Sequence, residues 1–311
     1  MSTAHPRRTA QSAAAVRLLG GLLAAAVLLA LVLPAQAKII HREKSLYSTI
    51  LVDERGSLIC LQFSVRTDQR NQSCMDRKTP RKMVFPYAQM MMLSLLFDPE
   101  PENILVVGLG GGTLPVALQE LYPTARIDVV EIDPAVKTVA ETYFNFAEGE
   151  RMQVILQDAR VFTKRAAGRE QRYDLIMLDA FNGDYIPEHL MTREYLEETA
   201  ELLAPGGVLA ANTFAISRLY DHESTTYQAV FGTFYNVRSR TSANRIIIVV
   251  NGELPDMATL SAEADKLAGR LKPYDVRIGD YLGDFSTEPD WDTSARILTD
   301  QYAPANLLGT Q

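Results

Sequence analysis

The stretch Asn103-Ile-Leu-Val-Val-Gly-Leu-Gly-Gly-Gly-Thr113 decides how the rest of the chain is read. Ile104 to Val107 is a short, β-branched-rich apolar run closed by glycine, the pattern of a strand buried on both faces. Gly108, Gly110, Gly111 and Gly112 follow at once, and Thr113 precedes Leu114, Ala117, Leu118 and Leu121 at helical spacing. Strand, glycine turn and helix N-terminus together make a backbone pocket where a ligand meets no Cβ. Gly108, Gly110 and Gly112 are therefore candidate cofactor-binding positions. A glycine cluster by itself is also what an ordinary turn looks like, but the next apolar run adds to it. Ile127-Asp128-Val129-Val130 ends at Glu131, where a carboxylate can accept hydrogen bonds from ribose hydroxyls. The expected ligand is a nucleoside cofactor.

The 311 residues suffice for one large or two modest domains, and 47% hydrophobic with 22% charged residues is an ordinary globular composition. A net charge of −7 argues against a general nucleic-acid binder and suits a small cationic substrate. Four histidines without metal-like spacing and two cysteines argue against a structural zinc site, and no metal is expected.

Residues 1–37 read as an export signal or a membrane anchor. Arg7, Arg8 and Arg17 precede an uninterrupted apolar run from Leu18 to Leu33, followed by Pro34-Ala35-Gln36-Ala37, a small-x-small cleavage pattern. The run is short for a membrane span. The expected location is outside the cytoplasm, or at the inner membrane through residues 18–33. Residues 38–82 read as a small antiparallel unit. Short runs at Tyr47–Val52, Ser57–Phe63 and Asn71–Cys74 are separated by the turn-prone Asp53–Gly56 and Thr67–Arg70. Cys60 and Cys74 fall on neighbouring strands. They pair if the domain is exported and are otherwise two buried thiols. Met90 to Phe97 then reads as an apolar helix.

From residue 83 to 275 strand and helix alternate. Strand runs occur at Ile104–Val107, Ile127–Val130, Met152–Leu156, Tyr173–Leu178 and Val208–Asn212, with helical spacings between them, the last of these from Tyr195 to Leu203. Such βα repetition predicts an α/β fold with a doubly wound, mostly parallel sheet. Tyr235–Arg238 and Arg245–Val250 are expected to close it as an antiparallel edge pair, with a final amphipathic helix from Met257 to Leu271. Beyond Asp275 the periodicity fades, leaving residues 276–311 as a tail.

In such sheets ligands bind at the carboxyl ends of the strands, near the switch point. Those ends carry Gly108–Gly112, Glu131 with Asp133, Asp158 after Gln157, and Asp179 after Leu178. Capping accounts for any one of the acids, but not for a set at successive strand ends.

Gly108-Leu-Gly-Gly-Gly112, Glu131-Ile-Asp133, Gln157-Asp158-Ala159 and Tyr173-Asp-Leu-Ile-Met-Leu-Asp179 resemble the spermidine synthase (polyamine aminopropyltransferase) family. The run from Ala180 to Tyr195 looks like its bacterial spermidine synthase-like branch. The resemblance implies a class I methyltransferase-like domain behind a small β-domain. It implies aminopropyl transfer from decarboxylated S-adenosylmethionine to a putrescine-like amine, with release of methylthioadenosine. Carried over, Glu131 would hold the ribose, Asp158 would face the adenine amino group, and Asp179 would take a proton from the attacking amine. Gln72 and Tyr87 match positions used around the amine and the sulfonium, Tyr87 as a catalytic helper and Asp184 as a further one. Members of that family are often dimers or tetramers, so the resemblance leaves room for a homodimer, though no interface is read from the residues.

The chain departs from the family at Gly111 and Asn182, where the family keeps aspartates, and at Ala88-Gln89, where it keeps Gln-Glu. Losing one charged partner for the donor's ammonium would cost about 1.5–3 kcal/mol. Two alternatives therefore stand beside aminopropyl transfer. One is a methyltransferase using S-adenosylmethionine itself on an unknown acceptor. The other is a binding protein that keeps the nucleoside pocket without turnover.

Overall fold

The computed structural model describes residues 37–65, 68–181, 185–240 and 242–303. The segment read as signal or anchor lies outside the described residues through Gln36, as do Asn182 and Asp184. Among the described residues no helix is long and apolar enough to cross a membrane. From Ile39 on, the described residues group into one compact unit.

The small sheet is an antiparallel meander of four strands, β1 (Lys38–Lys44), β2 (Thr49–Arg55), β3 (Leu58–Val65) and β4 (Asp68–Asp76). Its first strand was not legible as a strand, because Lys38–Lys44 has only Ile39 and Ile40 as apolar residues among polar and charged ones and buries little. Ile50, Val52, Ile59 and Leu61 are fully buried, and they belong to the same core as Ile104 and Val106 of the large domain. Cys60 stands opposite Cys74 in the β3–β4 register, with Cα atoms 4.1 Å apart, and the two form a disulfide. The expected apolar helix is instead a short α1 (Pro86–Met91) that tightens into a buried 3₁₀ stretch, Met92–Leu96.

The large sheet has eight strands in the order β12-β10-β11-β9-β8-β5-β6-β7. These are β5 (Asn103–Val107), β6 (Arg126–Glu131), β7 (Met152–Leu156), β8 (Tyr173–Leu178), β9 (Leu203–Phe214), β10 (Tyr235–Arg238), β11 (Asn244–Val250) and β12 (Phe285–Ser286). β7, β6, β5, β8 and β9 are parallel, and β11, β10 and β12 add on antiparallel. The chain moves outward from β5 to β7 and then restarts at β8 on the other side, so the switch point lies between β5 and β8. β5 shows why its sequence is apolar throughout. Ile104 and Val106 enter the core on one face, and Leu105 and Val107 enter a second core on the other. Burying each such side chain is worth roughly 1.5–3 kcal/mol.

Helices α2 (Thr113–Leu121), α3 (Pro134–Tyr143), α4 (Ala159–Ala167), α5 (Arg193–Ala200), α6 (Tyr220–Phe231) and α7 (Met257–Leu271) cover the two faces. Two expectations change here. The helix read through Leu203 ends at Ala200, and β9 begins at Leu203, earlier than Val208, because Gly206 (φ +77°) lets the chain bend and pair with Asn251. α6 had no apolar periodicity to announce it, since between Tyr220 and Tyr227 it buries Glu223, Ser224, Thr225 and Thr226. The described residues beyond Asp275, 276–303, are built into the fold. Phe285 and Ser286 extend the sheet beside β10, and the Trp291 ring stacks on Phe234 with centroids 5.2 Å apart.

Candidate active site

A cavity of about 360 Å³ opens at the carboxyl ends of β5, β6, β7 and β8, with the small sheet as its far wall. That volume lies within the range of small-ligand sites. Each wall follows from how its strand ends. β5 runs into Gly108, whose left-handed backbone (φ +99°) passes so close to β8 that an added Cβ would lie 2.3 Å from the Asp179 carbonyl oxygen. Only glycine fits there. Gly108 and Gly110 line the cavity. Gly112 is absent from the wall. It caps α2 in the left-handed region (φ +77°) with the Phe146 ring against it, one residue before Thr113, which does line the cavity.

β6 ends in Glu131, which is buried. The Leu109 N–H donates to its Oε2 (3.1 Å) and the Asp133 N–H to its Oε1 (2.9 Å). The carboxylate thus locks the glycine turn to β6 while keeping lone pairs toward the cavity. Burial raises its pKa, and these N–H donors act against that rise. Asp133 caps α3 through the Ala135 N–H (3.0 Å). Asp158 caps α4 through the Val161 N–H (2.9 Å), and its second oxygen lies 2.8 Å from His189 Nε2. Capping and cavity lining are therefore combined in the same side chains.

Asp179 closes β8. Burial pushes its carboxyl up to about 7, with one countervailing donor, the Asn212 amide. Asn212 Nδ2 donates to Asp179 Oδ1 (2.7 Å), and Asn244 Nδ2 donates in turn to Asn212 Oδ1 (2.9 Å). Tyr87, with its hydroxyl on the Gln72 carbonyl (3.1 Å), is pushed well up by burial and by the nearby Asp179 charge. Gln72 and Tyr87 both line the cavity. The structure thus brings together Asp179, Tyr87, Gln72, Gly108, Gly110, Glu131 and Asp158. Gly112 stands behind them, and Asp184 lies outside the described residues.

Three features in or beside the cavity escaped the sequence reading. Asn212 sits at the end of a fifth parallel strand, so the strand-end logic would have found it had amides been considered with acids. His189 lies in a loop without periodicity, and its approach to Asp158 is purely tertiary. The third feature surrounds Gly111. A Cβ there would lie 2.7 Å from Ser73 Oγ and 2.8 Å from the Phe144 ring. The Ser73 and Thr113 hydroxyls stand 3.4 Å apart beside it. No side chain fits at this position unless its neighbours shift, and the small-sheet wall (Tyr47, Ser48, Phe63, Gln72, Ser73) is uncharged.

Comparison with known proteins agrees with this geometry. Residues 84–238 match the spermine/spermidine synthase domain. A polyamine aminopropyltransferase of Vibrio vulnificus is 50% identical over 276 residues, covering 88% of this chain and 92% of that one. The chain belongs to the spermine/spermidine synthase family. Among solved structures, a probable spermidine synthase from Corynebacterium glutamicum superposes with a TM-score of 0.62 at 20% identity, over 84% of this chain and 99% of that one, a likeness of fold. Human methyltransferase-like protein 13 in complex with SAH superposes with a TM-score of 0.52 at 27% identity, over 67% of this chain and 93% of that one. The family's α/β architecture, a small antiparallel sheet ahead of a mostly parallel one, is the architecture seen here.

Proposed function

We propose that the chain is a polyamine aminopropyltransferase that moves an aminopropyl group from decarboxylated S-adenosylmethionine to a small diamine. The observation that carries this is Asp179: a buried carboxylate with a pKa of about 7, held by Asn212 at the switch point. An amine attacks only when deprotonated, and a carboxylate of that basicity both attracts the cation and accepts its proton. In the transfer, the amine nitrogen forms a bond to the carbon beside the sulfonium as the carbon–sulfur bond breaks. The bonding pair stays on sulfur, giving neutral methylthioadenosine, and the amine's proton passes to Asp179. Glu131 would take the ribose hydroxyls and Asp158 the adenine amino group, with Tyr87 and Gln72 at the amine end.

A second reading, S-adenosylmethionine itself as donor, is favoured by one feature. The packed Gly111 and the Ser73 and Thr113 hydroxyls offer the donor's tail no carboxylate for an ammonium and nothing to repel a carboxylate. A methyltransferase relative solved with SAH is consistent with that tail. Incubating the chain with putrescine and each donor, followed by mass spectrometry, separates the two. Aminopropylated amine with methylthioadenosine is the expected product. Methylated product with S-adenosylhomocysteine would replace this reading by the second, and no product from either donor would leave a binding protein. Asp179→Asn should reduce turnover by at least a hundredfold, the scale of a lost general base, while methylthioadenosine still binds.

Export or inner-membrane anchoring through residues 18–33 is part of the proposal. The Cys60–Cys74 disulfide supports it, since such bonds persist in oxidising compartments.

A further inference from the structure

The family match ends at Arg238, so the residues that close the chain are not covered by it. Residues 290–303 run back over the helices. The Thr225 hydroxyl donates to the Asp292 carbonyl (3.2 Å), and His222 Nδ1 lies 2.7 Å from the Arg296 carbonyl. At Leu298 both backbone groups are used: its N–H donates to Thr226 Oγ1 (2.9 Å) and its carbonyl accepts from the Arg193 N–H (2.9 Å). The Leu298 side chain, 1% exposed, forms a small core with Met191 and Leu219, against which Ile186 packs. Two residues on, Asp300 receives two hydrogen bonds from Arg160 (2.6 and 2.8 Å), and Arg160 also holds Glu198 through two more (both 2.9 Å).

These contacts fall on the two elements whose side chains meet over one end of the cavity. Arg160 lies two residues after Asp158, in the first turn of α4. Ile186 and Met191 bracket the loop that carries His189. Asp158 and His189 themselves stand 2.8 Å apart and both line the cavity. Met191 and Ile186 gain a shared apolar support from Leu298, and α4 gains a charged one from Asp300. The loop has one 3₁₀ turn of its own (Glu188–Leu190), with the Leu190 and Met191 N–H groups on the Pro187 and Glu188 carbonyls, and these contacts add support to it.

We propose that the C-terminal segment is a strap that sets the Asp158–His189 pair, with Leu298 and Asp300 as positioning residues for the base end of the nucleoside. This rests on the reading of Asp158 as the residue facing the adenine amino group. Both Asp158 oxygens then have protein donors, the Val161 N–H and His189, which leaves the carboxylate a fixed acceptor aimed at the base edge. A fixed acceptor favours an amino group over a carbonyl at that edge.

The test measures binding of methylthioadenosine and of its inosine counterpart to the full chain by calorimetry. Leu298→Ala and Asp300→Ala should each weaken methylthioadenosine binding roughly five- to tenfold and shrink its preference over the inosine form, the scale of one lost anchoring contact. Leu298→Met and Asp300→Glu should restore both, and KM for the amine should stay unchanged. Trp291→Ala, in the same segment but stacked on Phe234, is the structural control: it should lower Tm and leave the preference intact. The strap is overturned if Asp300→Ala, which removes a half-exposed side chain and keeps the fold, leaves both affinities at wild type. It is equally overturned if Trp291→Ala lowers the preference as much as Leu298→Ala does. Failure of the unaltered chain to bind methylthioadenosine would overturn the nucleoside reading itself, and the strap with it.

Discussion

At Asp179 a carboxylate is held in a state that water would not give it. Burial raises its pKa to about 7, and the single strong donor, Asn212, offsets only part of that rise. Folding with the charged form is therefore unfavourable, and the sign follows from linkage. The folded-state pKa lies above the unfolded value of 3.8. The side chain's contribution to stability is thus full below pH 3.8 and lost as pH rises toward and through about 7. Asp179→Asn, which removes the titration, should raise Tm relative to wild type at pH 8 and change it little at pH 4, read by thermal melts across that range. In the unaltered enzyme kcat/KM should climb through pH 7 as the base ionises, amine protonation being constant over that interval. Asp179, Glu131 and Asp158 were legible because a parallel sheet exposes its strand ends in sequence order. Asn212 and His189 were not. The first is an amide among acids, and the second reaches the site only through a loop whose path the residues alone leave open.

Among the elements, α6 separates what periodicity shows from what it misses. Its inward face docks on Arg245, which is fully buried. Arg245 donates to Thr213 Oγ1 (2.7 Å) and to Ser224 Oγ (2.7 Å), lies 3.5 Å from Glu223, and has its guanidinium 3.9 Å from the Tyr220 ring centroid. Burial pushes Glu223 up to about 7, with the Arg245 charge acting the other way. Removing the arginine leaves Glu223 without its cation. Arg245→Met should therefore destabilise the chain by roughly 3–5 kcal/mol at pH 8 and by less at pH 5, where Glu223 is protonated. Urea midpoints at the two pH values check this. An equal loss at both would mean that Arg245 acts through packing alone. β5 and β8 lay open to reading because each buries both faces with apolar residues, and β6 because Ile127, Val129 and Val130 outweigh its one buried acid in mid-strand, Asp128. α6 buries hydroxyls and charges, and no hydropathy pattern reports those.

On the scale of the whole molecule, the small sheet and the large one share a core, and the cavity exists only between them. The Cys60–Cys74 bond closes a loop of sequence separation 14 in the wall of that cavity. Replacing both cysteines with alanine should lower stability by about 3 kcal/mol on a chain-entropy account, measured as the shift in denaturant midpoint. If the export proposal holds, the two cysteines, acid-quenched in cells and then denatured because both are buried, should resist maleimide until a reductant is added. Immediate labelling would instead place the domain in a reducing compartment.

The strand–helix alternation, the mostly parallel sheet with its antiparallel edge pair and the four acids at the strand ends came from the chain itself, while the order of the strands, and with it the place of the switch point, came from the fold. Aliphatic runs, glycines and carboxylates at strand termini are local features, each fixed by a few neighbouring residues. That Gly111 leaves no room for a side chain was decided only by the fold. Ser73, from a different sheet, and Phe144 occupy the space a side chain would need. The same is true of the hydrogen bond from Asn212 to Asp179 and of the strap that carries Leu298 to Met191. Each joins residues far apart in sequence, and steric exclusion and burial act on distance in space, to which the spacing of residues along a chain gives no direct access.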